Sequence, residues 1–223
     1  MSTRLEARDV RVAFGDGAGS LSVLRGASLQ LEPGELVALT GPSGSGKSVL
    51  LDVLAGWSRP DSGTVCWGQH DEPPSWAGLG VVPQAMGLMP DLSVWHNITL
   101  PLRLTGGGGR AGRRALADGS ARAGILLEQL GLAHLRRRTP GELSLGEQQR
   151  VAVARAALLE PQVLLADEPS AHQDAASCDA VLDVLRGVCT AGGAVLVASH
   201  DDAVLDRSDR WLRMLEGQVV DDD

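Results

Sequence analysis

The sequence predicts an α/β fold built on a parallel sheet, and three observations carry that prediction. Short apolar runs (Leu36-Val37-Ala38-Leu39, Val163-Leu164-Leu165-Ala166 and Ala194-Val195-Leu196-Val197-Ala198) alternate with longer segments of helical periodicity. Each run passes into polar residues and then into a helical pattern, as expected at the carboxyl ends of parallel strands. The first run also feeds a glycine-rich loop, Gly41 to Gly46, that opens a helix.

The remaining elements follow in order. The first thirty-odd residues and the Gly63 to Trp67 region read as antiparallel β with turns. From Leu88 to Leu159 the pattern is helical and rich in Leu and Ala, broken only by Gly106-Gly107-Gly108-Gly109, a flexible surface loop by composition. Residues 88–159 are therefore expected to form a helical subdomain inserted into an α/β core made of 1–87 and 160–223, all within one domain. Arg210 to Leu215, Glu216-Gly217 and Val219-Val220 read as a closing hairpin.

Composition narrows the function. At 223 residues, 43% hydrophobic and 22% charged, the chain has an ordinary globular composition. A net charge of -8 argues against nucleic acid as a partner, which needs a basic face. Only the stretch from Pro101 to Pro140 is basic, with eight Arg against Asp118 and Glu128. Cys66, Cys178 and Cys189 are scattered without a CxxC pair, which fits a reducing compartment and neither disulfides nor a zinc site. Met1 to Val10 lacks the apolar stretch of a secretion signal, and no apolar run approaches the about 18 residues of a membrane span. The expectation is a cytoplasmic chain that reaches a membrane only through a partner.

Gly41-Pro42-Ser43-Gly44-Ser45-Gly46-Lys47-Ser48 fits GxxxxGK[ST] after a strand and before a helix that starts near Val49. Glycines let the backbone curl so that successive N–H groups face phosphates, and the helix start adds its dipole. Lys47 would reach the β- and γ-phosphates of ATP and the Ser48 hydroxyl would ligate Mg²⁺. Lys47 is the only lysine among twenty basic side chains, the rest being Arg. A compact ammonium fits a crowded phosphate loop where a planar guanidinium does not.

Strand ends supply the remaining chemistry. Asp167 and Glu168 follow the second apolar run, where a carboxylate lies beside Mg²⁺ in phosphate-loop enzymes. Asp167 is the candidate for holding the metal, and Glu168 for orienting or deprotonating the attacking water. His200 follows the third run and is placed to donate to the γ-phosphate. Gln84 follows Leu79 to Pro83 and is placed to sense Mg²⁺ and water.

Leu143-Ser144-Leu145-Gly146-Glu147-Gln148-Gln149-Arg150 opens another helix, with Ser144 as N-cap and Glu147 completing a capping box. This stretch resembles the LSGGQ signature of ABC transporter ATP-binding proteins. The order of motifs matches too: phosphate loop, Gln84, signature, Asp167-Glu168, Asp174, His200. The resemblance implies a P-loop NTPase core of RecA-like type with an antiparallel β subdomain. It implies two subunits packed head-to-tail around two ATP molecules, as a homodimer or a heterodimer. Each site would take Gly41 to Val49, Gln84, Asp167, Glu168 and His200 from one subunit. Ser144, Gly146 and the interface aspartate Asp174 would come from the other. Phe14, the only Phe in a chain without Tyr, matches the aromatic that stacks on adenine; a core strand position is the other reading.

Two departures stand out. Leu145 replaces the first signature glycine, and Gln173 replaces the apolar residue before Asp174. Both are expected to weaken coupling across the dimer or to mark pairing with a better-matched subunit. The short form and the GEQQRVAVARA run resemble the lipoprotein-release and macrolide-export branch, although His96 stands where that branch usually carries Glu. The resemblance implies an integral-membrane permease as partner, with ATP hydrolysis energising transport. The alternative is a permease-like complex that regulates a cell-envelope enzyme without moving a solute. Met86, Leu88, Met89 and Trp95 are either partner-facing anchors or core. Arg110, Arg113, Arg114 and Arg136 to Arg138 form either a solvated face or a lipid-proximal patch.

Overall fold

The computed structural model describes residues 5–15, 21–68, 70–74, 77–105 and 109–221, with backbone alone for 110–113 and 221. Three strands near the amino terminus form an antiparallel sheet: β1 (Leu5–Phe14), β2 (Leu21–Leu31) and β4 (Ser62–Trp67), in the order β2-β1-β4. Alternation drives it: Leu5, Ala7, Val10 and Val12 point inward from β1, while Glu6 and Arg8 stay on the other face.

The second sheet has six strands in the order β5-β6-β7-β3-β8-β9. Its members are β3 (Leu36–Thr40), β5 (Leu79–Val82), β6 (Val163–Asp167), β7 (Ala194–Ala198), β8 (Arg210–Leu215) and β9 (Gln218–Asp221). The first five are parallel; β8 and β9 form a hairpin closed by Glu216-Gly217. β6 and β7 are fully buried, as unbroken apolar runs must be when both sheet faces are covered. The order sets the carboxyl ends of β5, β6, β7 and β3 side by side along one edge.

Helices cover both faces. α1 (Lys47–Leu54) packs with the antiparallel sheet through Leu50, Leu51, Val53 and Leu54. Between β5 and β6 come α2 (Val94–Ile98), α3 (Leu100–Thr105), α4 (Gly109–Gln129) and α5 (Leu145–Ala157). These share one core with α6 (Ala175–Thr190), α7 (Asp202–Arg207) and the opposite sheet face. Asn97 is fully buried at their junction. Its amide donates to the carbonyls of Met89, Leu92 and Ser93, and its oxygen accepts from Met89 N at 2.8 Å. The tract Gly106 to Gly108 and the side chains of Arg110 and Arg113 lie outside the described residues.

Candidate nucleotide site

The loop after β3 needs glycine for steric reasons. Gly41 has φ +137, and a Cβ there would sit 2.2 Å from the Met214 carbonyl oxygen of neighbouring β8. Gly46, at φ +107, is the left-handed residue that turns the loop into α1. Gly44, at φ +78, opens onto free space, the face from which a phosphate can approach backbone. Lys47 Nζ donates to Gly41 O at 2.7 Å and Pro42 O at 3.3 Å, so the ammonium lies across the loop against two neutral carbonyls.

The two carboxylates have different surroundings. Asp167, buried at the end of β6, accepts a hydrogen bond from Ser48 Oγ at 2.6 Å and so joins α1 to the sheet edge. Burial pushes its carboxyl up, and the Ser48 hydroxyl and Lys47 ammonium pull it back only in part. Glu168 has φ +49, a strained conformation for a non-glycine residue. Three contacts hold it: its amide donates to Ala198 O at 2.8 Å, and Ser199 Oγ donates to Oε2 at 3.0 Å. His200 Nδ1 lies 2.8 Å from Oε1.

These residues fit a magnesium nucleotide. Lys47 and the curled loop suit polyphosphate, and the Ser48 hydroxyl beside the Asp167 carboxylate supplies the hard oxygen donors that Mg²⁺ takes. Among the described residues no group of three or more His, Cys, Asp or Glu could hold a metal by itself. That donor set suits an ion held with substrate phosphates rather than in an all-protein cage.

Other expected residues fall in separate places. Phe14 ends β1 with 54% of its surface exposed, which removes the core alternative. Gln84 is exposed in the turn after β5. Ser144 caps α5, accepting from Glu147 N at 3.3 Å while Glu147 Oε2 accepts from Ser144 N at 2.7 Å. That bond from the Ser144 amide is the main reason the Glu147 carboxyl lies below its usual range. Asp174 caps α6 by accepting from Ser177 N at 2.8 Å. Gly146 packs against the 170–174 loop, where a Cβ would come 2.7 Å from His172 O. Leu145 is 55% exposed.

Four contributors escaped sequence reasoning. Ser199 holds Glu168, and Gln149 Nε2 donates to the Glu168 carbonyl at 3.3 Å. Arg155 Nη1 and Nη2 donate to Gly87 O at 2.7 Å and Met86 O at 2.6 Å, fastening α5 to the segment after Gln84. Asn97 organises the neighbouring turn. Only the hydroxyl, amide and guanidinium chemistry of these side chains hinted at a role.

An apolar groove of about 670 Å³ adjoins that segment, lined among others by Trp57, Pro73, Met89, Leu100 and Leu104. Arg155 is the one charged residue among its described lining. Of the four apolar residues in question, Met89 lines the groove, whereas Met86, Leu88 and Trp95 pack against the core. Arg136 stacks over Trp95 at 3.6 Å, and exposed Arg138 pairs with Glu142 at 2.6 Å.

Comparison with known proteins decides the family. The family described as ABC transporter matches residues 24–171, well over half the chain. This chain belongs to that family. The lipoprotein-releasing system ATP-binding protein LolD of Geobacter metallireducens is 38% identical to it over the full length of both. LolD of Novosphingobium aromaticivorans is 40% identical, covering 94% of this chain and 95% of that one. A dimeric structure of MJ0796, a bacterial ABC transporter cassette, superposes with a TM-score of 0.85 at 28% identity over 96% of both chains. A second MJ0796 dimer, in a post-hydrolysis state bound to ADP and Pi, gives 0.84. The α/β cassette fold and the ATP-binding, ATP-hydrolysing activity of this ABC subunit follow. No helix among the described residues is long and apolar enough to cross a membrane.

Proposed function

We propose that two copies of this chain clasp two ATP molecules head-to-tail and drive a separate integral-membrane permease. One observation carries the reading. Two hydrogen-bonded groups, Ser48 with Asp167 and Glu168 with Ser199 and His200, meet at the adjacent residues Asp167 and Glu168 next to Lys47, at the sheet edge where α/β enzymes place their chemistry.

In this reading residues Gly41 to Val49 wrap the phosphates and Lys47 leaves its two carbonyls for the β- and γ-phosphates. Ser48, Asp167 and Gln84 hold Mg²⁺, which supplies charge neutralisation at the phosphates. Glu168 takes the proton of the attacking water, and His200 steadies both water and carboxylate. Phe14 stacks on adenine. Ser144, Gly146 and Asp174 serve the nucleotide of the other copy, the amino terminus of α5 offering its backbone N–H groups and dipole to the γ-phosphate.

Residues 88–159 act as the helical subdomain that carries the signature. The apolar groove beside Gly87 and Met89 receives a helix or turn of the permease, which places the chain peripherally on the cytoplasmic face of the membrane. The groove's exposed Trp57 (57%) and Leu104 (60%) support an apolar partner there. Glu168→Gln should bind ATP without turnover and recover a multi-span permease when the tagged variant is isolated from gently solubilised membranes. Recovery of no membrane protein, under conditions where that variant retains ATP, contradicts the permease assignment.

A further inference from the structure

Gln173 stands where an apolar side chain was expected, and its contacts are unlike those of an apolar residue. Its Oε1 accepts from Arg150 Nη1 at 2.6 Å and its Nε2 donates to Gly146 O at 3.1 Å. The orientation is fixed by chemistry: a guanidinium only donates, so the amide oxygen must face Arg150 and the amino group must face the carbonyl. Beside it, His172 at φ +61 turns its carbonyl onto Gly146, leaving no space there for a side chain.

The other end of the same loop is fastened to the same helix. Gln149 Nε2 donates to Glu168 O, and Ala171 N donates to that carbonyl at 3.2 Å. Residues 168–174 are thus held at both ends by the first two turns of α5. Leucine at position 173 would offer neither donor nor acceptor and would leave the Arg150 guanidinium without this partner.

We propose that Gln173 is a positioning residue that braces the signature end of α5 to the loop carrying Glu168, so that events at one nucleotide are felt at the other. The proposal rests on the two-chain reading above, in which Ser144 and Gly146 serve one ATP and Glu168 the other. A stiff link between them makes the two composite sites act together. Gln173 then strengthens the joint that the sequence alone suggests it weakens.

The test uses the full chain carrying Gln173→Leu or Gln173→Glu. ATP affinity is read with a fluorescent ATP analogue, and kcat and the Hill coefficient come from steady-state hydrolysis. Gln173→Leu should keep the affinity within about twofold while kcat falls about tenfold and the Hill coefficient drops to about 1. Gln173→Glu keeps the Arg150 contact but loses the donor to Gly146, and should fall between the two. Unchanged kcat and cooperativity in Gln173→Leu, with a cooperative wild type, overturn this proposal alone. A fall in kcat matched by an equal loss of ATP affinity also overturns it, since that marks general loosening. A wild-type chain that hydrolyses ATP without cooperativity overturns the two-chain reading and the brace with it.

Discussion

Replacing Arg155 with Met keeps the length of the side chain and removes its fork. The two bonds lost run to Met86 O and Gly87 O, at 2.6 and 2.7 Å. Both acceptor residues have left-handed backbone, φ +54 and +58, and the first is not glycine, so that segment depends on outside support. A hydrogen bond to a charged group contributes about 1.5–3 kcal/mol, which puts the gross loss at about 3–6 kcal/mol. Two effects reduce it. Burial already pulls the guanidinium's pKa down, a sign of the desolvation that Met avoids. Gly87 is exposed, so its carbonyl regains water. A net loss of about 2 kcal/mol remains, equivalent to a fall in Tm of about 4–8 °C for a chain of this size. Urea titration measures the first quantity and calorimetry the second. Arg155→Lys should recover less than half, because one ammonium cannot span two diverging carbonyls as the planar fork does. An Arg155→Met protein with the wild-type urea midpoint would refute the argument that this side chain holds the segment after Gln84.

Other outcomes follow from the same structure. Asn97→Ala removes the partners of the Met89 N–H and the Leu92 carbonyl, while the Met89 and Ser93 carbonyls keep the backbone amides of Leu92 and Asn97, and should cost about 2 kcal/mol, read as a lower urea midpoint. Asp209 accepts from Arg186 Nη1 and from Leu36 N, each at 2.7 Å, and the Arg186 bond foremost holds its carboxyl below the usual range. Its folded pKa lies below the unfolded one, so its contribution is complete above about pH 4 and disappears as pH falls through the folded value. Asp209→Asn should therefore be less stable than wild type at pH 7, by about 1 kcal/mol after solvent screening, and indistinguishable at the most acid pH where the protein still folds. Equal differences at both pH values would contradict that assignment. Glu142, held at about 2 chiefly by the Thr139 amide with Arg138 next, adds to the same acid sensitivity.

How much was legible in the sequence depended on whether a residue acts through its local pattern or through distant backbone. Gly41 to Ser48 follow a strand and open a helix, so their loop could be read from neighbours in the chain. Asp167, Glu168 and His200 end apolar runs, and parallel strands bring such ends to one edge of the sheet whatever their order. The strand order itself was hidden. Arg210 to Leu215 read as half of a hairpin, yet β8 also runs parallel to β3 and places the Met214 carbonyl against Gly41. Arg155 and Gln149 were silent for a different reason, and Gln173 stood out in the sequence while its contacts did not. The carbonyls these side chains meet, at Met86, Gly87, Glu168 and Gly146, are aimed by local φ values that no side-chain pattern encodes. The groove escaped as well, since Trp57, Pro73 and Leu104 lie far apart in the chain and meet only after folding.

The most direct test of the account is the mass of the Glu168→Gln chain in solution with ATP and magnesium, measured by light scattering. The account predicts a monomer without nucleotide, a dimer holding two ATP when ATP is present, and hydrolysis reduced about a hundredfold or more. A chain that stays monomeric at saturating ATP, or that hydrolyses it at the wild-type rate, contradicts the claim that each copy completes the other's site around Glu168.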